Sequence, residues 1–331
     1  MDLRSDDTGC SRIRCGIVLS AGDGTRMRQY VYQLRGHDLP KQYVNFVGKR
    51  SLLEHTCDRA EKLIPAERLF VVIAKKHLEF SEVRRQIASR PPDTVVIQPE
   101  NKDTAPGLLL PLIHLHRRFF DAAVAVFPSD HCILEEDVFI RHVDLAFRAV
   151  EQDGSRIVLL GVEPHEPDPE YGYIIPGEKI NDPAAGSARK VELFVEKPAV
   201  EMAKKIITRG ALWNTLVMVF RVRTLMDVFQ RTTPELCGSF QRILEAVGTP
   251  DEQRVLELVY RKLSPINFST GVLEGLPLVY RRALLVLPVG GVTWTDWGSA
   301  DRLLTGLKQV GQPKHVADDL SRIRSLRILR N

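Results

Sequence analysis

The stretch Val18–Met27, VLSAGDGTRM, completes an apolar run, CGIVLS, and then turns sharply through Gly22, Gly24 and Thr25 to Arg26. The run is continuously apolar rather than alternating, the pattern of a strand buried on both faces. A glycine-rich turn directly after such a strand leaves successive backbone N–H groups free to face an anion, and glycine removes the β-carbons that would block its approach. The same turn without a ligand is an equally good reading of this element taken alone. Outward from it, LFVVIA, TVVIQ, AAVAVF and RIVLLGV repeat the buried-strand pattern with helical stretches between them. That alternation predicts an α/β fold: a Rossmann-like mixed, mainly parallel sheet flanked by helices. Ser51 and Glu54 have capping-box spacing at the head of one helix, and TAPGLLLPLIHLHRRF reads as a buried helix entered at Thr104 and bent at Pro111. After Pro164 the chain becomes turn-rich before KVELFVE, LWNTLVMVF and ALLVLPV add further strands. The expected organisation is a disordered tail at 1–13, one domain at 14–311 whose second half, 164–311, is an inserted substrate-binding part, and a basic helical tail at 312–331.

Composition narrows the function. Among 331 residues, 46 basic and 42 acidic side chains are scattered along the chain and leave a formal charge of +4, which is no nucleic-acid footprint. Five cysteines without a C-x-x-C pair argue against a disulfide framework and for reduced thiols. The opening MDLRSDDTGCSRIR lacks the apolar core of a signal peptide, and no stretch has the length of a membrane span. A soluble cytoplasmic protein with no membrane or nucleic-acid partner is expected.

Four charged groups suggest chemistry. The loop is not a Walker A motif, because no Gly-Lys-Ser/Thr follows, nor the dinucleotide fingerprint, because Met27 stands where a third glycine belongs. Arg26 and, in LPKQY, Lys41 would place a planar fork and a point charge beside the loop, which suits a polyphosphate. Their plain alternative is a pair of surface ion-pair residues. Asp130, in FPSDH, leaves a buried strand at its carboxyl end, the edge where open α/β sheets bind ligands. Asp296, in VTWTDWGS, follows another apolar strand. Two isolated carboxylates could hold Mg²⁺ with phosphate oxygens completing its shell, although each could equally be a helix N-cap. Glu196 and Lys197, in FVEKPA, could serve a sugar hydroxyl and a phosphate or simply pair in solvent. His131 makes no triad, since no serine sits in a nucleophile elbow. His114 and His116, two apart on one helix, face different sides and make a poor metal pair.

Together these stretches resemble the nucleotide-sugar pyrophosphorylases, most closely the mannose-1-phosphate guanylyltransferases. The resemblance runs from about Ile17 to Arg302 and rests on ordered motifs: LSAGDGTRM, PKQY, QPENKDTAPG (Gln98–Gly107), FPSDH, YGYI, FVEKP, the Trp213-Asn214 pair, NFSTGVLE and WTDWGS. It implies a nucleotide-binding half at 14–163, a sugar-binding half at 164–311, and transfer of GMP from GTP to mannose 1-phosphate, giving GDP-mannose and pyrophosphate. It implies that Ala21, Gly22, Gly24, Thr25, Arg26 and Lys41 hold the triphosphate, and that Gln98, Asn101 and Thr104 line the base pocket. Asp130 and Asp296 would bind Mg²⁺, Lys197 the sugar phosphate, and Gly172, Glu196 and Asn214 the sugar ring. Arg26, Lys41, Asp130 and Lys197 are the implied catalytic set, and by analogy alone a homodimer is expected. The sequence departs from the family pattern at Ala21, usually glycine, in the long RQYVYQLRGHDL before Lys41, and at Thr215, where a small residue is usual. It carries no isomerase domain or β-helix, so a single activity is expected. Another sugar 1-phosphate, another nucleotide base, or a sensor that binds without chemistry remain open readings at this level.

Overall fold

The computed structural model describes residues 13–309. The expected helical tail at 312–331, and the expected N-terminal tail up to residue 12, lie outside the described residues. Among the described residues eleven strands form the framework: β1 Arg14–Leu19, β2 Leu69–Ala74, β3 Val95–Gln98, β4 Ala123–Pro128, β5 Cys132–Ile133, β6 Ile157–Val162, β7 Gly172–Lys179, β8 Arg189–Glu196, β9 Leu212–Arg221, β10 Leu284–Val289 and β11 Trp294–Thr295. Nine of them make one sheet in the order β3-β2-β1-β4-β9-β6-β10-β8-β7. β1 pairs in parallel with β2 and β4, β2 with β3, and β6 with β10. The antiparallel pairings of this sheet all involve β9, β8 or β7, strands contributed by the turn-rich second half. The sheet is therefore mixed, with the parallel run β3-β2-β1-β4 on the glycine-loop side and a second parallel pair, β6 and β10, beyond β9.

The continuous apolar runs are explained by burial on both faces. Every residue of β2, β4 and β6 is buried, because helices cover both sides, and each Val or Ile so enclosed contributes about 1.5–3 kcal/mol. One layer packs under the helix Thr104–Arg118, whose Ala105 through Ile113 are all buried around Pro111. The other packs under the helices Leu52–Glu61 and Glu136–Gln152. The capping box is formed: Ser51 Oγ accepts from Glu54 N at 3.1 Å, and Glu54 Oε2 accepts from Ser51 N at 2.7 Å. Cys15, Cys57, Cys132 and Cys237 are free thiols, and burial pushes the Cys15 and Cys57 thiols up to about 12, which keeps them protonated and inert; Cys10 lies outside the described residues.

A small second sheet matters most for function. β11 pairs antiparallel with β5, matching Trp294 with Ile133 and Thr295 with Cys132. This two-residue ladder joins segments far apart in the chain and sets Asp296 against the turn that carries Asp130.

Candidate active site

A cavity of about 600 Å³ opens at the carboxyl ends of β1, β3 and β4, lined by Ala21, Gly22, Gly24, Lys41, Gln98, Asn101, Thr104, Asp130 and Asp296 among others. It sits at the strand edge where such sheets bind ligands. Gly24 adopts φ +58°, and a β-carbon there would lie 3.2 Å from the Lys41 backbone nitrogen. Glycine is required on both counts. Around Gly22 the space is open.

The PKQY segment supplies more than its lysine. Gln42 Nε2 donates to the carbonyls of Ser20 (2.9 Å) and Gly22 (2.7 Å), and the Tyr43 hydroxyl donates to Ser20 O at 2.9 Å. Both side chains are buried and pin the glycine loop from behind. Lys41 itself is only 6% exposed. Its Nζ donates to the carbonyls of Asp296 (2.7 Å) and Trp297 (3.3 Å) and lies 2.9 Å from Asp130 Oδ2. One ammonium thus ties both carboxylate-bearing segments together. Burial pushes the Asp130 carboxyl upward, but the Lys41 charge and hydrogen bond, with His131 nearby, outweigh it and leave the group below its ordinary value.

His131 is buried, and that burial drives its pKa down to about 4. Its Nδ1 accepts from Trp294 Nε1 at 3.3 Å, which places the ring proton on Nε2, 3.9 Å from Asp130 Oδ1. It is therefore neutral at pH 7. Asp296 Oδ1 accepts from Tyr171 Oη (3.0 Å), Gly298 N (2.9 Å) and Arg302 Nη1 (2.8 Å). Its Oδ2 faces the Arg26 guanidinium at 3.8 Å. Arg26 does not line the cavity: its Nη1 lies 3.1 Å from Glu170 Oε2 on the rim. Thr25 likewise begins the short helix Thr25–Met27 outside the lining.

At the base-pocket end, Gln98 Nε2 donates to Glu100 O at 2.7 Å, while its buried Oε1 has no partner among the described residues. An enclosed acceptor left unpaired on a cavity wall is suited to a donor on a ligand. Asn101 and Thr104 line the same wall but also build it: Asn101 Oδ1 accepts from Asp103 N at 3.0 Å, and Thr104 Oγ1 accepts from Phe268 N at 2.8 Å. Asn267, in the NFSTG motif, caps the helix Phe268–Gly271 and donates to Asp103 Oδ1 at 3.1 Å, docking the second half onto this wall.

A second cluster forms where β7, β8 and β9 meet. Gly172 is paired with Glu196; a β-carbon at Gly172 would lie 2.5 Å from Glu196 Oε2 and 3.6 Å from Asn214 Cβ. Lys197, at φ +48°, places its Nζ 3.3 Å from Glu196 Oε1. Burial raises the Glu196 carboxyl above its ordinary value against the opposing Lys197 charge. Tyr171 joins the clusters, since its hydroxyl reaches Asp296 while its neighbour Gly172 floors the second site. Thr215 does not face that cluster. It is fully buried, its Oγ1 donates to Leu160 O (2.7 Å) and accepts from Val217 N (3.2 Å), and it holds the irregularity where β9 shifts register against β6.

The structure therefore gathers Ala21, Gly22, Gly24, Lys41, Gln98, Asn101, Thr104, Asp130 and Asp296 around one cavity, and Gly172, Glu196, Lys197 and Asn214 into a separate cluster joined to it through Tyr171. Sequence reasoning missed Gln42, Tyr43, Tyr171 and Arg302. The first three stand inside the PKQY and YGYI motifs, which was signal enough. Arg302 carries no such mark.

A glycine loop with a buried lysine and two carboxylates at one strand edge defines an α/β protein with a polar, mixed-charge cleft at the carboxyl ends of its strands. More particularly, the chain belongs to the nucleotidyl transferase family, whose model matches residues 15–312. It is 28% identical over 299 residues to the xanthan biosynthesis protein XanB of Xanthomonas campestris pv. campestris, covering 89% of this chain and 60% of that protein. It is 27% identical over 233 residues to a mannose-1-phosphate guanylyltransferase of Klebsiella pneumoniae, covering 70% of this chain and 47% of that one. Its fold matches, at TM-score 0.72 and 27% identity, a Thermus thermophilus protein described as a mannose-1-phosphate geranyltransferase, over 86% of this chain and 76% of that one. The chain spans about half to three-fifths of the length of these curated relatives. Among the described residues no helix is long and apolar enough to cross a membrane.

Proposed function

We propose that this chain transfers a guanylyl group from GTP to mannose 1-phosphate. A phosphate oxygen of the sugar phosphate attacks the α-phosphorus of GTP, forming a new P–O bond as the α–β bridging bond breaks. Pyrophosphate leaves with the electron pair. No covalent enzyme intermediate is needed, so the protein's contribution is position and charge. The observation that carries the reading is the Lys41 ammonium held between Asp130 and the Asp296 backbone at the glycine loop, beside a second polar cluster reached through Tyr171.

In this reading Gly22, Gly24 and Thr25 wrap the phosphates and Lys41 faces the charge of the departing pyrophosphate, with Arg26 joining from the rim. The unpaired Gln98 Oε1 accepts from the base edge, and guanine offers N–H donors there. Glu196 and Asn214 address sugar hydroxyls over the floor left bare by Gly172, and Lys197 meets the sugar phosphate.

Among the described residues no group of three or more His, Cys, Asp or Glu side chains forms a closed metal centre. Asp130 and Asp296 nonetheless suit Mg²⁺. Asp130 Oδ1 lies 3.9 Å from His131 Nε2 and Asp296 Oδ2 lies 3.8 Å from Arg26 Nη2, both beyond ordinary hydrogen-bond distance, and this ion commonly takes one or two carboxylates plus substrate phosphates. When bound, Mg²⁺ would supply Lewis-acid neutralisation of phosphate charge. Support for the substrates comes from the names of the relatives and the resemblance of the motifs. The test is pyrophosphate release with GTP, ATP, UTP, CTP and dTTP, each with Mg²⁺ and a panel of sugar 1-phosphates. Turnover greatest with GTP and mannose 1-phosphate is expected; another best pair would reassign base or sugar, and none at all would overturn the reading.

A further inference from the structure

Arg302 and Glu170 belong to no motif, yet they complete the surroundings of Asp296. Arg302 stands in the first turn of the helix Ala300–Gln309, and its side chain is only 17% exposed. Its Nη1 donates to Asp296 Oδ1 at 2.8 Å and lies 3.8 Å from Asp168 Oδ2, and its Nη2 pairs with Glu170. The guanidinium carbon sits 4.6 Å from the centre of the Tyr171 ring, whose hydroxyl donates to the same Asp296 oxygen. Arg26 closes the figure by approaching Glu170 Oε2 at 3.1 Å and Asp296 Oδ2 at 3.8 Å. Charges therefore alternate around a ring, Arg26, Glu170, Arg302, Asp296.

The two arginines differ in how firmly they are held. Arg302 is fixed by carboxylates on several sides and by an aromatic face. Arg26 is 52% exposed, on the short helix that ends the glycine loop. Exposed pairs of the Arg26–Glu170 kind contribute little, so exchanging Glu170 for several phosphate charges is favourable. Glu170 would then repel the incoming polyanion unless its own charge stayed covered, and Arg302 covers it. By occupying Asp296 Oδ1, Arg302 also leaves Oδ2 as the oxygen available to the cavity.

We propose that Arg302 is the positioning residue of this site and that Glu170 parks Arg26. On arrival of a nucleoside triphosphate, Arg26 leaves Glu170 for phosphate while Arg302 keeps Glu170 and Asp296 in place. The inference rests on the polyphosphate-binding reading above.

The test uses the full chain and compares wild type with Arg302→Ala, Arg302→Lys and Glu170→Gln. Binding of GTP, ATP, UTP, CTP and dTTP is measured by calorimetry, and Mn²⁺ bound beside the preferred triphosphate is measured by electron paramagnetic resonance. Arg302→Ala weakens Mn²⁺ binding about tenfold, the usual size of a lost orienting contact, with KM for the sugar phosphate unchanged. Arg302→Lys, which keeps the charge without the fork, recovers part of that loss. Glu170→Gln removes the competitor for Arg26 and tightens metal-free triphosphate binding about two- to fivefold. Wild-type Mn²⁺ affinity in Arg302→Ala, or unchanged or weaker triphosphate binding in Glu170→Gln, overturns the assignment while leaving the function reading intact. Should Arg302→Ala melt early, the Arg302→Lys and Glu170→Gln results decide alone. If wild type binds none of the five triphosphates, the function reading falls and this inference with it.

Discussion

Asp130 and Glu196 are both carboxylates at strand ends, each with a lysine as its nearest cation, yet their acidities move in opposite directions. Lys41 is 7% exposed at its side chain, clamped by two carbonyls and 2.9 Å from Asp130. Lys197 is 55% exposed and 3.3 Å from Glu196. Burial raises both acids most strongly, but beside Asp130 the enclosed lysine, together with His131, reverses the outcome, whereas the exposed lysine beside Glu196 does not. The comparison separates two tasks. A carboxylate held beside an enclosed ammonium suits a dication and a phosphate chain; one beside an exposed lysine suits uncharged hydroxyls, from which it can accept.

The sharpest way to break this contrast is to remove the enclosed cation. Lys41→Ala should lower kcat/KM about 10²-fold, the cost of losing one preorganised charge at a developing anion, and steady-state pyrophosphate release would show it. Loss below about twofold would sink the role given to Lys41, since a mere surface pair is worth that little. Next in size, Asp296→Asn should raise the Mg²⁺ concentration giving half-maximal rate about tenfold or more, and excess EDTA should abolish turnover. Full activity in EDTA would end the metal proposal.

A third measurement reads the two acids through stability. Asp130 is more acidic folded than unfolded, so its contribution is present above the unfolded value and is lost as pH falls through the folded one. Glu196 has the opposite sign: in the interval between its ordinary and raised values the folded state holds the extra proton, so stability declines as pH rises. Melting temperatures of Glu196→Gln should therefore gain on wild type as pH rises above about 4, whereas those of Asp130→Asn should fall behind wild type as pH rises toward about 4 and change little relative to it above. Parallel profiles for the two variants would show that the lysines are not distinguished by exposure. The smallest effect on catalysis is expected at Thr215. Thr215→Val should cost about 1–3 kcal/mol of stability by leaving the buried Leu160 carbonyl unpaired, with KM for the sugar phosphate unchanged. A changed sugar preference would instead place Thr215 in the pocket.

Much of this was legible along the chain. Strand β1 and the glycine turn follow each other, so loop, strand type and capping box could be read from neighbours in sequence. Lys41 and Asp130 were legible as charges at the ends of apolar elements. Thr215 stood out along the chain only as a departure from the family pattern beside Asn214; the structure buries it in the sheet where β9 shifts register against β6. Arg302 was invisible, since a lone arginine in a helix reads as solvated until its partners are known.

The sequence by itself determined which segments become buried strands and helices, because burial pattern is a local property. Which charges meet was decided only by tertiary structure: the β5–β11 ladder sets Asp296 against Asp130, and the packing of the helix Ala300–Gln309 brings Arg302 to Glu170. Electrostatic partners are chosen by distance in space, and exposure then fixes how much each contact is worth. Neither quantity is written in the order of residues.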